Sequence, residues 1–300
     1  GIDLYGPALI DYTAGLGQAS ITKNVASMKG SGIDADLTVQ FIQRKSLNWQ
    51  LQLNINTNTD EVTDYFLRSV NGSSYVGDGV GIAGIVGKPV YSIFRYQWAG
   101  LDPSNGNPRG YINQQISSDY AAITGSGTKI EDLAYYGSVF PKWFGSMGQS
   151  ISYKGFSLNV RLMYKLGYNF TRTSINYSGL FGGATGHADF TNRWQQPGDE
   201  VFTNVPSMPY PLVNARETFY NASEVLVEKG DHIRLQYVTL SYSIGKKQWK
   251  TLPLNNLQLY INANDLGIVW RANSKGLDPD YFSFSFPPAR NIAFGMRCNF

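Results

Sequence analysis

The 300-residue chain is only 16 % charged but 14 % aromatic, with 20 Tyr, 32 Gly and 13 Pro. This is the balance of a turn-rich β protein with many amphipathic rings, which collect where apolar and wet surroundings meet. A net charge of +3 with no basic block gives no footing to nucleic-acid binding, the single cysteine, Cys298, excludes an internal disulfide, and the distant His187 and His232 form no metal-ligand pattern. The longest apolar stretch, around Gly79 to Gly87, is diluted by glycine and far short of the ~18 residues of a transmembrane helix.

The first two predicted elements span 33–41 and 47–56, with apolar residues on odd numbers. Leu47, Trp49, Leu51, Leu53 and Ile55 alternate with Asn48, Gln50, Gln52, Asn54 and Asn56. Successive side chains of a strand point to opposite faces, and a run of amides along one face does not suit a dry core. The pattern predicts two strands joined by a short turn at Arg44 to Ser46, with lipid on the apolar face and a wet interior on the other. A second hairpin is predicted over 147–153 and 156–162, turning at Lys154-Gly155. Further strands are expected over 231–244, with Val238, Leu240, Tyr242 and Ile244 on one face, and over 257–264, with Leu257, Leu259, Ile261 and Ala263. The closing strand, 290–300, sets Ile292, Phe294, Met296, Cys298 and Phe300 against Asn291, Ala293, Gly295, Arg297 and Asn299. Its length matches the about 9–11 residues that a tilted transmembrane strand needs, and it is the seventh in the series.

The connections alternate between short (44–46, 154–155, 245–256) and long (about 60–143, 167–230 and 265–289). Outer-membrane barrels have short periplasmic turns and long extracellular loops; an aromatic-rich soluble sandwich, the rival reading, has no need of strict alternation. The long loops are where recognition is expected, which makes Trp98, Asp102, Arg193, Trp194 and Asp199 candidates for contact with a substrate or partner. Other motifs carry less. Gly79, Gly81 and Gly84 have dinucleotide-fingerprint spacing but no leading strand or following helix. Gly87-Lys88 lacks the rest of a phosphate loop, and Asp102, Ser104 and Gly106 lack the closing Glu of a calcium loop. Asp60, Glu61 and Asp64 read as a solvated loop entrance, and neither histidine has a nucleophile beside it. No catalytic, cofactor or metal site is expected.

Several segments in series resemble the carboxy-terminal third of the SusC/RagA family of TonB-dependent outer-membrane transporters of the Bacteroidetes. They are Val86-Gly-Lys-Pro-Val90, Tyr96-Gln-Trp-Ala-Gly-Leu-Asp-Pro103, Gly106-Asn-Pro108, Pro141 with Phe144 and Gly145, Tyr153-Lys-Gly-Phe156, Arg193-Trp194 and Pro197-Gly-Asp199. They continue through Ile233-Arg-Leu235, Val238 to Tyr242, Asn264-Asp-Leu-Gly267, Trp270-Arg-Ala-Asn273, Gly276-Leu-Asp-Pro279, Phe294-Gly295 and Phe300. The resemblance implies an all-β, transmembrane antiparallel barrel of ~22 strands around a plug, of which residues 1–300 form the carboxy-terminal part. It further implies import of glycans or peptides with a SusD-like lipoprotein, powered by TonB acting on a plug domain, in the outer membrane. A passive porin would differ in having no plug. Seven strands cannot close such a barrel, and Gly1 follows no signal peptide, plug or TonB box, so a partial chain, or a wall completed by another chain, is expected. Phe294, Met296 and Phe300 resemble the terminal signal by which barrel proteins are recognised for insertion.

Overall fold

The computed structural model describes residues 4–9, 20–66, 71–77, 79, 81–183, 186–245, 249, 253–282 and 286–299. The strands are β1 (Leu4–Leu9), β2 (Ser20–Gln43), β3 (Leu47–Tyr65), β4 (Ser92–Tyr96), β5 (Gly110–Ile112), β6 (Gln115–Ser117), β7 (Leu133–Ser138), β8 (Trp143–Tyr153), β9 (Phe156–Leu166), β10 (Asn169–Thr171), β11 (Val227–Lys229), β12 (His232–Gly245), β13 (Asn256–Arg271) and β14 (Asn291–Asn299). Among the described residues three short α-helices accompany them, α1 (Tyr120–Ile123), α2 (Tyr177–Phe181) and α3 (Asn214–Asn221), besides single turns of 3-10 helix.

Eight of these strands form one sheet in the order β1-β2-β3-β8-β9-β12-β13-β14. The pairings of β1 with β2, and of β3 through to β14, are antiparallel. The seven strands expected from alternation are all present. An eighth, β1, pairs with the start of β2, and β2, β3 and β13 run well past the expected boundaries. The last strand ends at Asn299, so Phe300 lies outside the described residues.

The register gives the sheet two chemically distinct faces, because directly opposed residues on neighbouring strands share a face. Trp49, Ile151, Leu158, Leu240, Ile261 and Phe294 are paired in turn across six strands. The next positions form the row Gln50, Ser150, Asn159, Thr239 and Asn262. The first row is apolar, and Trp49, Leu158, Leu240, Ile261 and Phe294 in it are exposed. The second is made of amides and hydroxyls, and Thr239 Oγ1 donates to the Asn262 amide oxygen within it at 2.7 Å. Gln149 is a polar intruder on the apolar face, and its amide oxygen is satisfied by the Trp49 indole N–H at 2.8 Å. Gly295 leaves room for its cross-strand neighbour: a methyl group there would overlap the Tyr260 ring as it stands.

The chain forms two compact units. The first comprises residues 1–30, 60–140 and 169–229, the second 31–59, 141–168 and 230–300. The second unit holds most of the two-faced sheet, while β1, the start of β2 and the end of β3 fall in the first. The first is packed around two aromatic clusters, one including Phe94, Tyr96, Tyr120, Leu133 and Phe219, the other Ile175, Tyr177, Val205, Tyr220 and Leu226. The segments expected to be long loops therefore hold a core of their own.

Candidate functional site

The five loop residues singled out in the sequence all lie in the first unit. Trp98 packs against both aromatic clusters and stacks on Phe219 with ring centroids 6.2 Å apart. Its backbone N–H donates to the Glu224 carboxylate at 2.7 Å, and the other oxygen of that carboxylate accepts from the Tyr136 hydroxyl at 2.7 Å. Burial and the adjoining Glu224 push the Tyr136 hydroxyl up to about 12. Asp102 closes a tight turn, accepting from the Ser104 backbone N–H at 2.8 Å and its hydroxyl at 2.6 Å; these bonds hold its carboxyl below the ordinary range. The turn leads to Gly106 at φ 68°, where a side chain would run into the Trp194 ring. Trp194 is buried there, its indole N–H donating to Glu200 at 3.1 Å. Asp199 folds the same segment by accepting from the backbone N–H groups of Gln195 and Gln196 at 2.9 and 3.0 Å. Arg193 lies over the Phe190 ring at 4.1 Å.

Nothing local in the sequence marks the residue that fastens these segments. Arg216 is only 1 % exposed. Its guanidinium donates to the Asn107 side chain at 2.8 Å, to Glu217 at 2.8 Å and to the Ser207 carbonyl at 2.6 Å. One buried cation thus ties the 102–107 turn to the 207 segment and α3. Burial raises the Glu217 carboxyl despite its arginine and the Tyr177 N–H that donates to it at 2.9 Å. Nearby, Asp189 accepts from Arg172 at 2.6 Å and from Ser174 at 2.5 Å. Burial opposes its charge, but these donors outweigh burial and keep the carboxyl low.

The second unit holds a denser charged cluster. Asp278 accepts two bonds from Arg234, at 2.7 and 2.9 Å. Asp280 accepts from Lys165 at 2.7 Å and Arg234 at 3.1 Å, and lies 3.3 Å from the ring of His232, which is 2 % exposed. Burial works against the charge on Asp280, yet the bonds from His232 and Lys165 and their charges prevail, holding the carboxyl well below its usual range. The loop after β13 is thereby latched to β9 and β12. In the sequence Gly276 to Pro279 stands out as a turn and as part of the family resemblance but not as a latch, because the partners of this loop are 44 to 115 residues away.

Among the described residues no group of His, Cys, Asp and Glu could hold a metal ion, and no helix is long and apolar enough to cross a membrane.

A multi-stranded antiparallel sheet with one exposed apolar face and one amide and hydroxyl face is the wall of a transmembrane β-barrel. Comparison with known proteins agrees. No family model matches the chain. It is 23 % identical over 306 residues to the TonB-dependent receptor SusC of Bacteroides thetaiotaomicron, covering 94 % of this chain and 27 % of that protein. It is also 23 % identical over 303 residues to the TonB-dependent receptor P26 of Formosa agariphila, covering 92 % and 28 %. Among solved structures, the RagAB peptide importer matches in its open-open state with a TM-score of 0.69 and in its closed-closed state with 0.70, each at 22 % identity and over 99 % of this chain. These matches span 27 % to 32 % of the relatives' own lengths. They bear out the resemblance to the SusC/RagA family of TonB-dependent transporters, and the fold is that of a piece of the barrel wall.

Proposed function

We propose that the chain is the carboxy-terminal barrel portion of a TonB-dependent outer-membrane importer of large nutrients, glycans or peptides, working with a SusD-like lipoprotein and without enzymatic activity. The observation that carries the proposal is the unbroken apolar row from Trp49 to Phe294, running across six strands and backed by a row of amides and hydroxyls. Water would penalise such a face, whereas lipid welcomes it. An open sheet edge in hydrocarbon leaves backbone groups unpaired at a cost of several kcal/mol each, so further strands, from the rest of the same protein or from another chain, complete the wall beyond β1 and β14. TonB would act through a plug contributed from outside these residues.

The alternation of long and short connections argues that the long connections in the first unit are extracellular, with the surface around Trp98, Asp102, Arg193, Trp194 and Asp199 meeting substrate or the capping lipoprotein. Trp194 is buried against Gly106 and Asp199 is bonded to the backbone of its own segment, so their contribution there is to shape the segment. On β14, Phe294 and Met296 are exposed on the apolar face, and together with Phe300 they constitute the assembly signal. The test is uptake: a strain lacking the gene should lose growth on the limiting nutrient that the wild type imports, and collapsing the proton gradient should stop import in the wild type. Unchanged uptake after both treatments would overturn the proposal.

A further inference from the structure

The strand ends joined by the three short connections lie side by side at one end of the sheet, and those connections carry cations alone. Arg44 and Lys45 stand between β2 and β3 and Lys154 between β8 and β9; the sequence between β12 and β13 adds Lys246, Lys247 and Lys250, which lie outside the described residues. All 22 Asp and Glu of the chain fall outside residues 43–48, 152–157 and 243–256, so every charged side chain in these connections is positive.

The first two turns are fastened to each other and to β12. The Lys154 backbone N–H donates to the Ser46 carbonyl at 3.1 Å, and the Ser243 N–H donates to the Gly155 carbonyl at 2.8 Å. Between them opens a cleft of about 620 Å³ whose lining includes Arg44, Lys45 and Lys154 and no Asp or Glu. All three cations are exposed, and among the described residues none of them is in an ion pair.

Along the strands the chemistry changes in order towards this cleft. The exposed apolar row from Trp49 to Phe294 is followed, two residues nearer the turns, by Leu47, Tyr153, Phe156, Tyr242, Leu259 and Met296. Tyr153 and Phe156 are exposed there, and the Phe156 and Tyr242 rings pack with centroids 4.3 Å apart. The cations come next, the Lys154 ammonium 5.1 Å from the Tyr153 ring centre and Lys45 two residues beyond Leu47. Two residues of strand span about 7 Å, the depth of the headgroup layer on either side of a bilayer's hydrocarbon. Apolar side chain, ring and cation thus follow one another as acyl chain, interface and phosphate do in a membrane. A free anion would use only the cations, whereas a lipid uses the exposed rings as well.

We infer that this basic cleft binds the phosphate headgroup of an anionic phospholipid in the periplasmic leaflet, with Arg44, Lys45 and Lys154 on the phosphate oxygens and Tyr153 and Phe156 against the upper acyl chains. The arginine fork and the two ammonium groups suit such oxygens. The inference rests on the barrel-wall reading and deepens it by naming a lipid partner, yet lipid binding is measurable without transport.

The test is native mass spectrometry of the full-length protein in detergent, titrated with dioleoylphosphatidylglycerol, dioleoylphosphatidylcholine or inorganic phosphate. The wild type should bind phosphatidylglycerol more tightly than phosphatidylcholine, and inorganic phosphate at the same concentration should not displace it. A cation near an anionic lipid surface is worth roughly 5-fold in affinity, so the triple variant Arg44→Gln, Lys45→Gln, Lys154→Asn should bind phosphatidylglycerol about 100-fold more weakly. Its melting temperature should be unchanged, because the three side chains are exposed and Asn tolerates the φ of 47° at position 154. The control Lys129→Gln, Lys229→Gln, Lys275→Gln removes three exposed charges away from the cleft and should bind like the wild type. No preference for phosphatidylglycerol, unchanged affinity in the triple variant, an equal loss in the control, or displacement by inorganic phosphate would each overturn the inference. Any of these beside intact energised uptake would leave the importer reading standing; a full-length protein that stays folded and monodisperse without detergent or lipid would overturn both.

Discussion

Leu158→Arg and Asn159→Arg differ by one position on β9, yet the sheet places them on opposite faces. Leu158 lies between Ile151 and Leu240 in the exposed apolar row, and Asn159 lies between Ser150 and Thr239 in the polar one. An arginine at the lipid-facing midplane of a barrel costs about 2–4 kcal/mol. Losing two apolar cross-strand pairs adds roughly 0.2–1 kcal/mol for each, so Leu158→Arg should destabilise by about 2–6 kcal/mol. Asn159→Arg adds a charge to a wet surface and should stay within about 0.5 kcal/mol. Denaturant unfolding of the full-length protein refolded into lipid vesicles reads both values. Equal losses would refute the two-faced wall, and a larger loss at Asn159 would mean that the apolar face packs against protein and the polar face meets lipid.

Arg216→Met should cost about 3–5 kcal/mol, because it strands the buried Glu217 carboxylate; adding Glu217→Gln should recover part of the loss in the same melting assay, and no recovery would show that the pair is not the cause. Gly106→Ala should cost at least ~1–3 kcal/mol from its left-handed backbone alone, and raised hydrogen exchange across 100–108 and 193–207 would confirm that the two segments come apart together. Asp280→Asn should loosen the 272–282 loop at neutral pH. Because the folded carboxyl is held low, the stability it contributes is present above the ordinary carboxylate value of about 3.9 and is lost only as pH falls through the depressed folded value. The difference between wild type and Asp280→Asn in exchange of that loop should therefore persist through about pH 4 and close only in stronger acid, whereas closure by about pH 5 would contradict the latch.

How much of this could be read from the chain depended on distance. The faces of β3, β8, β9, β12, β13 and β14 were legible because a period of two is local and the short turns carry their own signal, as at Lys154 with φ 47° and Gly155 with φ 94°. The outer ends of the strands were not. From Thr57 to Asp64 β3 carries a single apolar residue, Val62, among polar ones on both faces, so its pairing leaves no alternation to read. The compact first unit was missed for a different reason: Arg216 meets Asn107 across 109 residues, and the two aromatic clusters gather rings from segments that each look like loop. Trp194 and Asp199 stood out as residues, but not as one buried ring and one carboxylate folding its own loop, since only Gly106 and the two backbone N–H groups reveal what they hold.

Topology in intact cells tests the central claim most directly. With Cys298 and any cysteine in the rest of the protein replaced by Ser, new cysteines at Phe202, 89 % exposed in the first unit, and at Lys45, in the short β2–β3 turn, can be challenged with a membrane-impermeant maleimide. The account predicts labelling of Phe202→Cys on intact cells and of Lys45→Cys only after the outer membrane is permeabilised. Labelling of both on intact cells, or of Lys45→Cys alone, would contradict a barrel wall whose long loops face the outside.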